Sequence, residues 1–160
     1  MIQVLYVDDE PVLLEVGKVF LETGGEFSVD TRSSVSGALD ALRKTRYDAV
    51  ISDYQMPGRD GISFLKQVRE EYGNLPFILF TGRGREEVVI EALNSGADFY
   101  LQKGGEPKAQ FAELAHKVRL AVRSRRAGEE LKAAYEQLTA TEEMLRKNLQ
   151  EIVEAKRDIQ

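Results

Sequence analysis

The chain has no cysteine among its 160 residues, which excludes disulfide bonds and thiolate metal sites. It has no apolar run approaching the roughly 20 residues needed to cross a bilayer, so no membrane partner is expected. No basic leader or cleavage site precedes the strand-like opening Ile2 to Val7, so no signal peptide is expected and the cytoplasm is the default location. Positive charge is also in deficit: 22 Lys and Arg against 27 Asp and Glu give a net charge of −5, which argues against a general nucleic-acid binder. What is present is ordinary globular composition, 42% hydrophobic and 31% charged. The length suits one well-buried domain with chain left over.

Five short runs rich in β-branched residues recur, each followed by a helical pattern. They are Gln3 to Val7, Phe27 to Asp30, Asp48 to Ser52, Pro76 to Phe80 and Asp98 to Leu101. The first, third and fourth are nearly continuous apolar runs, as central parallel strands covered on both faces require. Between them, Val12, Leu13, Val16, Val19 and Phe20 form one apolar helical stripe, opened by Pro11 and stopped at Gly24-Gly25. Leu39 and Leu42 mark a second helix, and Ile62, Leu65, Val68 and Tyr72 a third. Val88, Val89, Ala92 and Leu93 mark a fourth that ends at Ser95-Gly96, and a fifth begins near Pro107. Alternating strand and helix predict an α/β architecture with a parallel sheet. Five such units suit a flavodoxin-like doubly wound fold, and the strand order 2-1-3-4-5 is taken over from that fold type.

In such sheets ligands sit beyond the carboxyl ends of the strands. There the first strand ends in Asp8-Asp9, the third in Asp53 and the fourth in Thr81, while the fifth runs into Lys103. Three carboxylates, a hydroxyl and an ammonium thus converge on one edge. Close carboxylates repel and raise one another's pKa values, and a hard divalent cation resolves the conflict. Mg²⁺ suits carboxylates combined with water and a phosphate oxygen. Lys103 adds a point charge able to contact Asp53 or a transferred phosphoryl group. Singly, each residue has a plainer reading as helix cap, turn former or solvated loop residue. Together they would have to coincide on one edge of one sheet.

The run Val4-Leu-Tyr-Val-Asp-Asp-Glu-Pro11 resembles the opening of a two-component response-regulator receiver domain. So does Asp53-Tyr-Gln-Met-Pro-Gly-Arg-Asp-Gly61, and Phe80-Thr81-Gly82 and Ala97-Asp-Phe-Tyr-Leu-Gln-Lys103 resemble the remaining two motifs. The resemblance covers residues 1–122. It implies Asp53 as phosphoryl acceptor, with Asp8, Asp9, Asp53 and the Gln55 carbonyl holding Mg²⁺. It also implies Thr81 as donor to a phosphoryl oxygen, Lys103 as the salt-bridging cation, and Tyr100 as the aromatic that swings inward when Thr81 moves. A histidine kinase is the implied phosphodonor. Two departures stand out. Gly104-Gly105 follows the lysine where receivers usually carry proline, and Gly82-Arg83-Gly84 loosens the loop into the fourth helix. Gln55 and Arg83 occupy positions that tune the lifetime of the phosphoryl group in the family. His116, the chain's one histidine, is not followed by the motif of a kinase phosphorylation helix, so the donor is expected elsewhere.

From Glu129 the chain turns to Glu, Lys, Ala, Leu and Gln, and Leu131, Leu138, Leu145, Ile152 and Ile159 recur every seven residues. This is one column of a coiled-coil seam, with Glu142 and Arg146, and Glu143 and Lys147, spaced as helical ion pairs. The second column is either Ala134, Thr141, Asn148 and Ala155 or Tyr135, Glu142, Leu149 and Lys156. A helix of roughly 48 Å is too long for so small a domain to cover, which favours a parallel homodimer in which Asn148 fixes the register. The fifth helix is expected to run on through Arg119 to Gly128, where Gly128 is the weak point. The cluster from Arg123 to Arg126 reads as a solvated helix face and not as a nucleic-acid contact. The chain is expected to divide into a receiver at 1–122 and a helical extension at 123–160. Ending in mid-pattern at Gln160, it has the form of the front end of a longer signalling protein.

Competing functions fit less well. A haloacid-dehalogenase-type phosphatase, which also forms an aspartyl-phosphate, needs a second Asp two residues after its nucleophile, and Asp8 is followed there by Glu10. A nucleotide-binding relative would want a glycine-rich loop where this chain has acids. A purely structural dimerisation module would explain the tail but not the strand-end acids.

Overall fold

Strand β1 (Ile2–Val7) lies inside a five-stranded parallel sheet, paired on one side with β2 (Phe27–Arg32) and on the other with β3 (Ala49–Ser52). β4 (Phe77–Thr81) and β5 (Phe99–Gln102) complete the order β2-β1-β3-β4-β5. The computed structural model describes residues 1–82 and 86–159, and Met1–Arg125 forms the first of two compact units. The strand order is the expected one. β3 and β4 are buried along their whole length, which explains their uninterrupted apolar sequences.

Successive strand side chains point to opposite faces, and the two cores follow that alternation. Leu5, Val7, Val50, Phe77 and Leu79 pack with α2 (Val35–Lys44), α3 (Gly61–Tyr72) and α4 (Glu86–Asn94). Val4, Tyr6, Ile51, Ile78 and Phe80 pack with α1 (Pro11–Glu22) and the start of α5 (Pro107–Ile159). Local signals set the helix starts: Ser34 caps α2 by accepting from the Gly37 N–H at 3.1 Å, and Asp60 caps α3 by accepting from the Ser63 N–H at 2.8 Å.

The expected face of α1 is only partly correct. Leu13 and Val16 are half-buried, but Val12 and Val19 are mostly exposed and Phe20 is 39% exposed. The buried face is Leu14, Gly17 and Leu21. This helix is apolar on nearly all sides, so its periodicity admits more than one inward face. Gly17 selects among them, because a Cβ there would collide with the Tyr6 and Phe111 rings. In α4, Val88 and Ala92 are buried as expected, whereas Leu93 is exposed. Arg83 and Gly84 lie outside the described residues, and of Ile159 only the backbone is described.

The second unit begins at Arg126. α5 continues without interruption through Gly128 to Ile159, and every side chain from Arg126 to Asp158 is exposed. The apolar ones include Leu131, Leu138, Leu145 and Ile152.

Candidate functional site

The sheet's own hydrogen bonds extend past the strands and fix the residues that follow them. The Asp8 N–H donates to the Arg32 carbonyl at 3.1 Å, the Asp53 N–H to the Val7 carbonyl at 2.9 Å, and the Lys103 N–H to the Thr81 carbonyl at 2.9 Å. Two acids and a lysine far apart in sequence, with Asp9 following Asp8, are thereby held in register along one edge. Asp8 and Asp53 are buried, as is Thr81 at the end of β4, while Asp9 is exposed.

One carboxylate oxygen from each of Asp8, Asp9 and Asp53 lies within 4.8 Å of the others. Lys103 closes the group from the side. Its Nζ donates to Asp8 Oδ2 at 2.6 Å and lies 3.4 Å from Asp53 Oδ2. Its Nζ also lies over the Phe80 ring, 5.7 Å from the centroid. The remaining oxygens are held by backbone: Asp8 Oδ1 accepts from the Glu10 N–H at 3.0 Å and Asp53 Oδ1 from the Tyr54 N–H at 2.8 Å. Burial pushes the Asp8 carboxyl above its ordinary range. The Lys103 and Glu10 hydrogen bonds oppose that shift and the Asp53 charge adds to it.

The arrangement fits a hard divalent cation. Among the described residues, three carboxylates with one lysine leave excess negative charge in a partly buried place, and all the donors are oxygens. Gln55 lies in the loop that lines a hollow with Asp9, Met56, Pro57 and Asp60. Tyr100, paired with Leu79 across β4 and β5, is half-buried against the α3–α4 side of the core. Its enclosed hydroxyl has no hydrogen-bond partner among the described residues, and burial raises its pKa. His116 is exposed on α5.

Two features were not anticipated from sequence. Gly61 sits against the carbonyl of Asp53, where a Cβ would collide with backbone, and its N–H donates to the Tyr54 carbonyl at 2.7 Å. A glycine after the loop acid is the signal that was available. Tyr6 is fully buried, its hydroxyl has no hydrogen-bond partner among the described residues, and nothing in a strand pattern announces that.

A doubly wound parallel sheet of order 2-1-3-4-5 with acids and a lysine at its carboxyl edge defines a class of protein, the flavodoxin-like fold with an acidic site beyond its strand ends. The match to known proteins is more specific. Residues 4–118 match the response regulator receiver domain family. "Response regulator Rre1" of Synechocystis is 34% identical over 149 residues, covering 90% of this chain and 64% of that protein. The "Phosphate regulon transcriptional regulatory protein PhoB" of Escherichia coli is 32% identical over 114 residues, covering 70% of this chain and 49% of that protein. Among solved structures, the receiver domain of the Francisella response regulator 1452 is 30% identical with a TM-score of 0.70, covering 78% of this chain and 99% of that one. The chain belongs to the response-regulator receiver family of two-component signalling. It spans about half to two thirds of the length of these curated relatives. Receiver domains bind Mg²⁺ at an acidic pocket, and the Asp8–Asp9–Asp53 cluster is an acidic pocket of that kind. No helix among the described residues is long and apolar enough to cross a membrane.

Proposed function

We propose that residues 1–122 accept a phosphoryl group on Asp53 from a histidine kinase, in a Mg²⁺-dependent reaction, and that residues 123–160 pass the change on as a coiled-coil helix paired with a second copy. The observation that carries this reading is the meeting of Asp8, Asp9 and Asp53 oxygens within 4.8 Å, beside an ammonium 3.4 Å from Asp53.

The Asp53 carboxylate is the nucleophile. Its oxygen forms a bond to phosphorus as the bond from phosphorus to the donor imidazole nitrogen breaks. Asp8, Asp9, Asp53 and the Gln55 carbonyl would hold Mg²⁺, which when bound offsets charge on the phosphoryl oxygens. Lys103 supplies a second positive charge to the same oxygens. Thr81 donates its hydroxyl to one of them, and Tyr100 moves into the space Thr81 leaves, shifting the population between two packings of the β4–β5 edge. The chain catalyses only its own phosphorylation and dephosphorylation, in the cytoplasm. The helix then carries the signal through Leu131, Leu138, Leu145 and Ile152 without a nucleic-acid or membrane contact.

The test uses the whole chain, Mg²⁺ and a small acyl phosphate as donor. The wild type should gain one phosphoryl group by intact mass, and Asp53→Asn should gain none. Asp9→Asn, an exposed change, should leave the fold intact and, at Mg²⁺ well above both dissociation constants, reduce the stabilisation that Mg²⁺ confers by about 1.4 kcal/mol, a tenfold loss of affinity. Uptake of phosphate by Asp53→Asn would remove Asp53 as acceptor.

A further inference from the structure

The helix beyond Arg126 exposes one leucine column, and either of two neighbouring columns can complete a seam. The columns differ in what they would bury. If Tyr135, Glu142, Leu149 and Lys156 are the second column, a parallel pair places Glu142 against Glu142 and Lys156 against Lys156. It gains Tyr135 and Leu149, at about 1.5–3 kcal/mol each, but buries two like-charge pairs whose desolvation costs several kcal/mol per ion. The flanking positions then hold Lys132 and Arg146 opposite neutral residues, so nothing offsets that cost.

If Ala134, Thr141, Asn148 and Ala155 are the second column, no charge enters the seam. Thr141 can enter the seam without an unpaired hydroxyl, because it donates to the Gln137 carbonyl at 2.9 Å, as Thr139 outside both columns donates to the Tyr135 carbonyl at 3.0 Å. Asn148 meets its own copy and can pair with it. The flanks also become complementary. Glu151 of one helix faces Lys156 of the other, and Met144 faces Leu149, both of which are now exposed. An antiparallel pairing sets each flank against itself: the register that aligns Glu130 with Asp158 places Glu151 against Gln137 and forms no Glu151–Lys156 ion pair, so the charges favour the parallel arrangement.

We infer that the surface formed by Leu131, Leu138, Leu145 and Ile152 with Ala134, Thr141, Asn148 and Ala155 takes a second copy of this chain, parallel and in register. This rests on the proposed parallel dimer but goes further, since it chooses between the two candidate faces and names the Glu151–Lys156 ion pair on the flank.

The absence of cysteine provides a clean background for single-cysteine variants of the whole chain. A disulfide needs Cα atoms within about 7 Å, a distance met across the seam but not between its flanks. Under mild oxidation, Ala134→Cys and Ala155→Cys should cross-link to dimers at least about fivefold more than Glu142→Cys and Lys156→Cys. Glu142→Leu should change the dimer dissociation constant by less than about threefold. Preferential cross-linking at 142 and 156, or a tightening of tenfold or more on Glu142→Leu, overturns the assigned face while leaving the dimer reading intact. A sedimenting dimer with no cross-link at any of the four sites overturns the parallel register. A monomer at tens of micromolar overturns the dimer reading itself.

Discussion

The Lys103 ammonium is bonded to Asp8 at 2.6 Å and stands farther, at 3.4 Å, from Asp53. Asp8 is fully buried, so the lysine is committed first to the acid that water cannot reach. Lys103→Met leaves that carboxylate facing Asp53 with no ion-pairing cation among the described residues. Removing one partner of a buried pair costs about 3–5 kcal/mol, and a loss near the lower end is expected for urea unfolding at neutral pH in chelator. Mg²⁺ should then restore more stability to the variant than it adds to the wild type. Equal unfolding midpoints for the two proteins in chelator would show that the pair contributes nothing net.

Gly61 limits how close the acceptor loop can lie to α3. A Cβ there would collide with the Asp53 carbonyl and approach the Leu79 side chain at 3.0 Å. The first of these is backbone and cannot turn aside. Gly61→Ala should therefore destabilise the chain by about 1–3 kcal/mol, as overpacking does, and should weaken Mg²⁺-dependent stabilisation because the displaced segment carries Asp53. A variant with wild-type stability and wild-type Mg²⁺ response would show that the loop accommodates the methyl group freely.

The strand-end acids were legible because each lies at the end of an apolar run, and the sheet order followed once the fold type was taken over. Other features depended on contacts that a linear pattern does not record. Val12 and Val19 belong to an apolar helix whose inward face is chosen by Gly17 against Tyr6 and Phe111, and those rings come from other elements. The preference of Lys103 for Asp8 over Asp53 is likewise a matter of tenths of an ångström across residues 95 positions apart. The leucine column of the tail was visible, but periodicity alone left its partner column open, because both candidate columns keep the seven-residue spacing and every side chain from Arg126 to Asp158 is exposed.

Tyr47 gives a pH dependence that can be isolated. Its hydroxyl donates to Asp30 Oδ2 at 2.6 Å, and burial, followed by the Asp30 bond and charge, pushes its pKa from 10.0 up to about 12. The folded state thus holds the phenolic proton more tightly than the unfolded state. Its contribution is fully present below the unfolded value and is lost as pH rises from 10 through about 12. The loss is at most roughly 2–3 kcal/mol, at 1.36 kcal/mol per unit. Comparing urea unfolding of the wild type and Tyr47→Phe removes the titrations they share. The wild type's advantage should hold constant from about pH 7 to 9 and shrink above about 10. A constant difference up to about pH 11 would sink the assignment.

Tyr6 offers the opposite case, a buried tyrosine whose hydroxyl has no partner. Its ring fills the space left by Gly17 beside Phe111, so the ring is needed for packing. Burial, then the charges of Asp8, Asp53 and Glu10, push the phenol far above its ordinary pKa, so it stays neutral. A buried donor without an acceptor costs about 1–3 kcal/mol. Tyr6→Phe keeps the ring and removes the cost, so the variant should be more stable than the wild type by about 1 kcal/mol in urea, with an unchanged m-value. Tyr6→Ala should instead lose about 3–5 kcal/mol through the cavity it opens. If Tyr6→Phe were destabilised by a kilocalorie or more, the hydroxyl would have to be bonded in solution, and the acids above it would be the acceptors to examine first.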